Sequence, residues 1–360
     1  MRLPVPNPIA NLAKAVSGLG RWVALPIFAL SVATTAKSFR GNPVIGSATL
    51  NRWGLHVARK RLAAALGQRR RRRLAGLIPD SDRAAFDRDG FIVKPNFLDD
   101  ATFRAVRNEI LDLEVAAREA IIGDAMTRLI PIDVMNAARL PTVKSVLESS
   151  SYRGLLAYVG AFRRTPNVYV QTVFSRVCEG EPDIQSSFHS DTFHPTVKSW
   201  LFLEDVPDDA TPFTYVPGSH RLNRRRLAWE RRMSITAAHS RDVLTAEGSL
   251  RISEREIKRL GYGPARRFPV AANTLIVADT SGIHARAPAP GKSSRVSIWA
   301  YSRSNPFLPW SGFDFNASPA IKKRALMLYW AASDGWKDMT GSRRAWRWVG
   351  KRTPLSPPGV

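Results

Sequence analysis

Residues 188–206 read FHSDTFHPTVKSWLFLEDV, and two of the chain's six histidines flank a single aspartate at their start. In an extended strand, residues two apart point to one face. His189 and Asp191 would then present an imidazole and a carboxylate side by side. A nitrogen ligand and a hard oxygen ligand with a third ligand from elsewhere make a two-His-one-carboxylate triad, which leaves metal positions open and suits non-haem Fe(II). An H-x-D triplet alone is common, so the reading needs a distant histidine and an anchor for a co-substrate. The residues that follow from Ser199, SWLFLEDV, have alternating or buried strand character.

Working outward, both missing parts lie in the C-terminal half. His284 falls in ADTSGIHARAPAPG, just after the apolar run of residues 274–278, where a strand would end in a loop. Arg295 opens the strand-like stretch RVSIWAY, with Ser297 alternating onto the same face. A guanidinium fork and a hydroxyl together can grip a carboxylate. From Pro166 onward the chain is a series of short strand-like runs at 168–177, 199–206, 213–216, 267–270, 274–277 and 295–301, punctuated by Pro, Gly and Asp. That pattern predicts a β-sandwich or barrel, including the jelly roll. A helical insertion is expected at about 221–267, with Ser253 and Glu256 as a capping box and Gly261 as its stop.

Four blocks carry a family resemblance: FDRDGFIVKPNFL (86–98), FHSDTFHPTVKSWLFLEDV (188–206), PFTYVPGSHR (212–221) and NTLIVADTSGIHARAPAPGKSSRVSIW (273–299). In this order they resemble phytanoyl-CoA dioxygenase-like proteins, over roughly Phe86 to Phe307. The resemblance implies a mainly β fold with flanking helices, a double-stranded β-helix (jelly roll, cupin-like) core. It implies an Fe(II)- and 2-oxoglutarate-dependent dioxygenase that uses O2 and converts 2-oxoglutarate to succinate and CO2 while hydroxylating a substrate carbon. By position, His189, Asp191 and His284 match the iron ligands, and Arg295 the residue on the distal carboxylate of 2-oxoglutarate, with Ser297 as helper. Gln171 and Lys198, on or beside flanking strands, are candidates for the other end of 2-oxoglutarate or for the substrate. One departure is the turn Asp208–Thr211, where relatives commonly carry a glycine.

Other polar residues are given smaller roles. His194, before Pro195, is expected at the pocket rim or in the structure rather than on the metal. His220 reads as a turn residue that hydrogen-bonds locally, and Arg286 as an anion contact at the mouth or a solvated loop residue. Cys178, the only cysteine, excludes an internal disulfide, fits a reducing compartment and reads as a small core residue.

The net charge of +24 is unevenly placed. Residues 1–79 hold fourteen Lys or Arg and no Asp or Glu. Trp22–Ala36 is apolar but interrupted by Pro26 and shorter than the roughly 20 residues of a spanning helix. Leu50, Trp53, Val57, Ala58, Leu62, Ala65 and Leu66 fall at helical spacing, which predicts a basic amphipathic helix running into Arg69–Arg73. Such a segment suits an anionic membrane surface, or packs on the main domain with a solvated basic face. A helix is also expected over 101–120. The tail from Lys322 to Arg352 is basic and holds Trp330, Trp336, Trp346 and Trp348. It is expected as a helical hairpin against the barrel, with a bilayer interface as the alternative.

The expected organisation is therefore a basic extension at 1–79, an oxygenase domain at 80–310 and a basic Trp-rich tail at 311–360. The expected location is cytoplasmic, with peripheral contact with anionic membrane. The substrate is expected to be a small molecule or lipid, anionic in view of the charge, with nucleic acid disfavoured. The competing class is a catalytically silent jelly roll that binds anionic membrane or nucleic acid. Oligomeric state and prime substrate are not legible.

Overall fold

A computed structural model describes residues 25–312, 330–332, 334 and 346–359. The expectations for Trp22–Ala24, Trp336 and most of the tail lie outside the described residues. Leu25–Ser31 (α1), Ala48–Arg52 (α2) and Leu55–Leu74 (α3) come first, with Gly54 at φ +100° parting α2 from α3. That left-handed backbone carries little cost only for a residue without a Cβ. Asp80–Asp89 (α4), Phe91–Lys94 (β1) and Asp100–Leu111 (α5) follow. Asp99 caps α5 by accepting from the Thr102 N–H at 2.9 Å.

A hairpin of Val115–Ile122 (β2) and Ala125–Pro131 (β3) leads to Val134–Ala137 (α6), Pro141–Glu148 (α7) and Ser150–Gly160 (α8). Then come Asn167–Ser175 (β4), Val197–Phe202 (β5) and Phe213–Tyr215 (β6). The insertion forms Arg224–Thr236 (α9), Val243–Ala246 (α10) and Glu254–Arg259 (α11). Its last helix starts at the expected capping box of Ser253 and Glu256. Arg266–Phe268 (β7), Leu275–Asp279 (β8), His284–Arg286 (β9), Ser293–Ser302 (β10) and Arg347–Arg352 (β11) complete the order.

The strands form an antiparallel sheet in the order β1-β8-β5-β10-β4-β3-β2-β11, faced by a small sheet β7-β6-β9. This is the jelly-roll core expected from the strand pattern. Alternation along each strand divides the residues between two cores. One face of the large sheet places Val296, Ile298, Leu201 and Val277 with Val106, Val143 and Val159 of the helices. The other packs Trp200, Phe202 and Ile276 with Phe213, Tyr215 and Phe268 of the small sheet. Full burial of such side chains is worth about 1.5–3 kcal/mol each.

Three sequence expectations change. The helix expected to reach Ala120 stops at Leu111, and Val115–Ile122 is a strand. Val106, Ile110, Leu113 and Ala117 keep helical spacing through the boundary, and all four are buried, the last two outside the helix. Within the tail, β11 pairs antiparallel with β2, so residues 347–352 are a strand and not part of a helical hairpin. The third change is the orientation of α3, which contains the arginine run rather than preceding it. Trp53 is 79% exposed and Leu62 51%, while Arg59, Lys60, Arg70 and Arg71 are buried.

The inversion has a physical cause. Each buried cation has fixed partners far away in sequence, which compensate its loss of water. Lys60 Nζ lies 2.6 Å from Glu230, and Arg71 Nη2 lies 2.9 Å from Asp279. Arg70 donates to the carbonyls of Ala161, Pro306 and Leu308, and Arg59 to those of Val32, Thr34 and Ala36. The α1–α3 segment therefore packs on the β core and on the insertion. Ala36, Phe39 and Ile45 share a core with Trp229, Leu250, Ile252 and Ile283.

Candidate metal centre

His284 opens β9, and its backbone exchanges two 2.9 Å hydrogen bonds with His189. The strand expected at His189 is only an isolated bridge, to His284 and Arg251. Asp191 lies in a bend beyond it, tied by its N–H to the Thr280 carbonyl at 2.9 Å. Strand alternation is thus not what joins His189 to Asp191; the chain turns after the bridge and brings the carboxylate back between the imidazoles. Asp191 Oδ1 is 3.7 Å from His189 Nε2, and Oδ2 is 3.7 Å from His284 Nε2. One ligand atom from each of the three lies within 4.8 Å of the others.

The surroundings orient those atoms. His189 Nδ1–H donates to the Ser187 carbonyl at 2.8 Å, and His284 Nδ1–H to the Gly282 carbonyl at 3.0 Å. A carbonyl can only accept, so both Nε2 atoms keep a lone pair facing Asp191. Burial pushes His284 down to about 4 and His189 well below the usual imidazole range, so both are neutral at pH 7. Burial acts to raise the Asp191 pKa, but Lys198 and the two imidazoles outweigh it and hold the carboxyl well below its usual range. Two neutral imidazoles and one ionised carboxylate on one side of a gap fit a divalent cation with open positions. The ion-pair partner of Asp191 is Lys198, whose Nζ lies 2.6 Å from Oδ2. Lys198 thus reaches Asp191 itself, where sequence reasoning made it a candidate for the co-substrate or the substrate.

Arg295 is 4% exposed and has no carboxylate partner among the described residues. Its Nη1 donates to the Thr211 carbonyl at 2.6 Å, and its Nε has no partner. Burial, with Arg286 next to it, pushes its pKa down to about 9, so it stays charged at pH 7. Ser297 shares the Arg295 face and is buried with its hydroxyl unpartnered. Gln171 on β4 is registered directly opposite Ser297, on the same face. Unpaired donors around a buried guanidinium fit the carboxylate of a small diacid. Thr211, in the turn where relatives commonly carry a glycine, sits at φ +55°, a strained conformation for a β-branched residue.

The remaining residues sort plainly. His194 is 1% exposed, donates from Nδ1 to the Pro195 carbonyl at 2.9 Å and stands outside the ligand cluster. His220 packs on Phe86, and its Nδ1 lacks the local hydrogen bond expected of it. Arg286 is not a solvated loop residue: its side chain is largely buried and its Nη1 pairs with Asp183 at 2.7 Å. Cys178 is half-buried rather than in the core. Two residues that sequence reasoning missed approach the site. Lys37 Nζ donates to the Asp191 carbonyl at 2.5 Å, and burial lowers the Arg303 pKa while the Asp191 charge acts against it. Continuing the alternation from Arg295 through residue 301 would have found Arg303; no local pattern marks Lys37.

Residues 86–256 match the family model described as phytanoyl-CoA dioxygenase (PhyH). No curated protein matches the chain significantly. Among solved structures, the epimerase SnoN, in complex with Fe3+, alpha ketoglutarate and nogalamycin RO, is 17% identical with a TM-score of 0.41. That match covers 63% of this chain and 83% of SnoN. HygX from Streptomyces hygroscopicus, with nickel and 2-oxoglutarate bound, is 16% identical with a TM-score of 0.38, covering 62% of this chain and 86% of HygX. The carbocyclase SnoK from nogalamycin biosynthesis is 16% identical with a TM-score of 0.40, covering 62% and 83%.

Proposed function

We propose that the chain is an Fe(II)- and 2-oxoglutarate-dependent dioxygenase that hydroxylates a small-molecule or lipid-linked substrate, with His189, Asp191 and His284 as metal ligands. The observation that carries this reading is the neutral–neutral–anionic ligand cluster in the same β core as a buried guanidinium with no carboxylate partner. Bound Fe(II) would supply O2 activation coupled to the conversion of 2-oxoglutarate to succinate and CO2. The chain's own residues bind and orient. The Ser187 and Gly282 carbonyls fix the imidazole tautomers, Lys198 holds the Asp191 carboxylate, and Arg295 with Ser297 and Gln171 receives the distal carboxylate of 2-oxoglutarate. Phe213 lies with its ring centroid 6.0 Å from that of His284 and 4.6 Å from that of Trp200, so apolar rings border the ligand cluster.

The test is anaerobic titration of Fe(II) and 2-oxoglutarate, following the weak visible charge-transfer band of the bound chelate. Wild type should develop the band; its absence would overturn the reading. Arg295→Gln should bind 2-oxoglutarate about 30-fold or more weakly, because truncating one partner of a buried charge pair costs about 2–5 kcal/mol. Its Fe(II) affinity should stay close to wild type, since Arg295 does not touch the ligand cluster. Equal 2-oxoglutarate affinity in the two proteins would remove Arg295 from the assignment.

A cytoplasmic enzyme working in peripheral contact with anionic membrane is the second part of the proposal. Of the eight exposed large hydrophobic residues among those described, Leu25, Ile27, Leu30, Trp53 and Leu62 lie in the acid-free N-terminal region. Arg61, Arg69, Arg72 and Arg73 are exposed on α3 with Leu62. Among the described residues no helix is long and apolar enough to cross a membrane. Removal of residues 1–79 is a poor test, because it would strip Arg71 from Asp279 and Lys60 from Glu230. The double variant Trp53→Ser/Leu62→Gln should instead lose flotation on phosphatidylglycerol vesicles at least fivefold relative to wild type. Equal flotation of both proteins, or none by either, would sink the membrane contact.

A further inference from the structure

The N-terminal segment contributes directly to the metal centre. Arg59 on α3 donates to the carbonyls of Val32, Thr34 and Ala36 at 2.8, 3.2 and 2.7 Å, and its guanidinium lies 4.1 Å from the Phe193 ring centroid. The chain just beyond is clamped by the Ala246 carbonyl, which accepts from the Phe39 and Arg40 N–H groups. Gly248, at φ +82°, allows the Lys37 carbonyl to pass: a Cβ there would collide with that oxygen. This strap fixes Lys37 so that its ammonium lies 2.5 Å from the Asp191 carbonyl oxygen.

A second cation arrives from β10. Residues 295, 297, 299 and 301 alternate onto the inner face, and Arg303 continues the row past the strand end. Tyr301 is registered opposite Lys198, whose ammonium holds Asp191, so Arg303 emerges at the metal end of the row. Its guanidinium makes no described hydrogen bond or ion pair, although it is half-buried and feels the charges of Asp191 and Lys37. His194 stands in the same electrostatic neighbourhood, 1% exposed, with Nε2 lacking any partner. Asp191 is already balanced by Lys198. Fe(II) and the 2-oxoglutarate dianion would cancel each other, and the Arg295 guanidinium adds one positive charge at the far end of the row. Lys37, which burial and then Arg303 push down to about 7, and Arg303 therefore remain beside Asp191 with no ion-pair partner among the described residues.

We propose that Arg303 and Lys37 form a receptor for an anionic group of the substrate, a phosphate monoester or a carboxylate, with His194 Nε2 at its wall. The receptor selects molecules whose oxidisable carbon lies a short reach from that anion, and the N-terminal strap completes it. This deepens the oxygenase reading, on which the fate of the bound molecule rests.

The test is calorimetric titration of the metal-free full-length protein with butyl phosphate, hexanoate and neutral butanol at fixed ionic strength. At least one anion should bind saturably and butanol should not. The tighter of the two anions identifies the head group. Arg303→Gln and Lys37→Met should each weaken that anion tenfold or more, Lys37→Arg should restore binding to within threefold, and Arg69→Gln, exposed on α3, should leave it within twofold. Unfolding midpoints of the variants are measured alongside, and Arg303, having no described side-chain partner, should leave its midpoint unchanged. Butanol binding as well as the anions, indifference to Arg303→Gln, or loss of all binding in Arg69→Gln would each overturn the proposal. A missing visible band with Fe(II) and 2-oxoglutarate, by contrast, would fail the oxygenase reading and leave anion binding in place.

Discussion

Asp191→Ala is expected to abolish the visible Fe(II)–2-oxoglutarate band and to lower Fe(II) affinity by more than 100-fold. The reason lies in what the substitution leaves behind. Two neutral imidazoles would remain, and the Lys198 ammonium, now 2.6 Å from no carboxylate, would stand as an uncompensated positive charge facing the cation. Loss of an outer partner of a metal ligand alone costs about 10–100-fold in affinity, and this variant removes a ligand and inverts the local charge together. Lys198→Met gives the comparison: it keeps all three ligand atoms and should fall within that 10–100-fold window. Circular dichroism should be unchanged in Asp191→Ala, because the backbone tie from its N–H to Thr280 does not involve the side chain. A band of wild-type strength in Asp191→Ala would remove Asp191 from the metal site.

How much of this was legible in the sequence depends on the range of the interaction. The jelly-roll strands were legible because alternation and turn residues are local, and β4, β5, β6, β8 and β10 appear within a few residues of their expected bounds. His189, Asp191, His284 and Arg295 could be picked out because family blocks preserve their order. The geometry that joins them was not legible: a one-residue bridge and a bend take the place of the strand alternation assumed for His189 and Asp191. In α3 a helical hydrophobic pattern pointed to the wrong buried face. Periodicity counts Arg59, Lys60 and Arg71 as solvent-seeking, and only the fold supplies Glu230, Asp279 and the carbonyls that let them be buried. Lys37 was invisible for the same reason, since its partner is a carbonyl 154 residues away.

Those distant partners make Glu230→Ala the substitution with the largest expected effect on folding. Glu230 is 1% exposed and accepts from three groups: His56 Nε2 at 2.8 Å, Lys60 Nζ at 2.6 Å and Arg226 Nε at 2.9 Å. Burial acts to raise its pKa, but Lys60, Arg226 and His56 outweigh this and hold it well below the usual carboxylate range. Removing the carboxylate leaves Lys60 and Arg226 buried with no counter-charge, a loss worth about 3–5 kcal/mol. The effect also reaches the metal centre. Arg226 Nη2 donates to the Ser281 carbonyl at 2.9 Å and lies 3.4 Å from Ser190 Oγ, so it bridges the turns that carry His284 and His189. Chemical denaturation should therefore show a loss of about 3–5 kcal/mol in Glu230→Ala, and Fe(II) affinity measured below the transition should fall as well. Lys60→Met in the Glu230→Ala background should recover part of the lost stability, because it removes one of the stranded charges. Wild-type stability in the single variant would mean that the buried cluster does not tie α3 and the insertion to the β core.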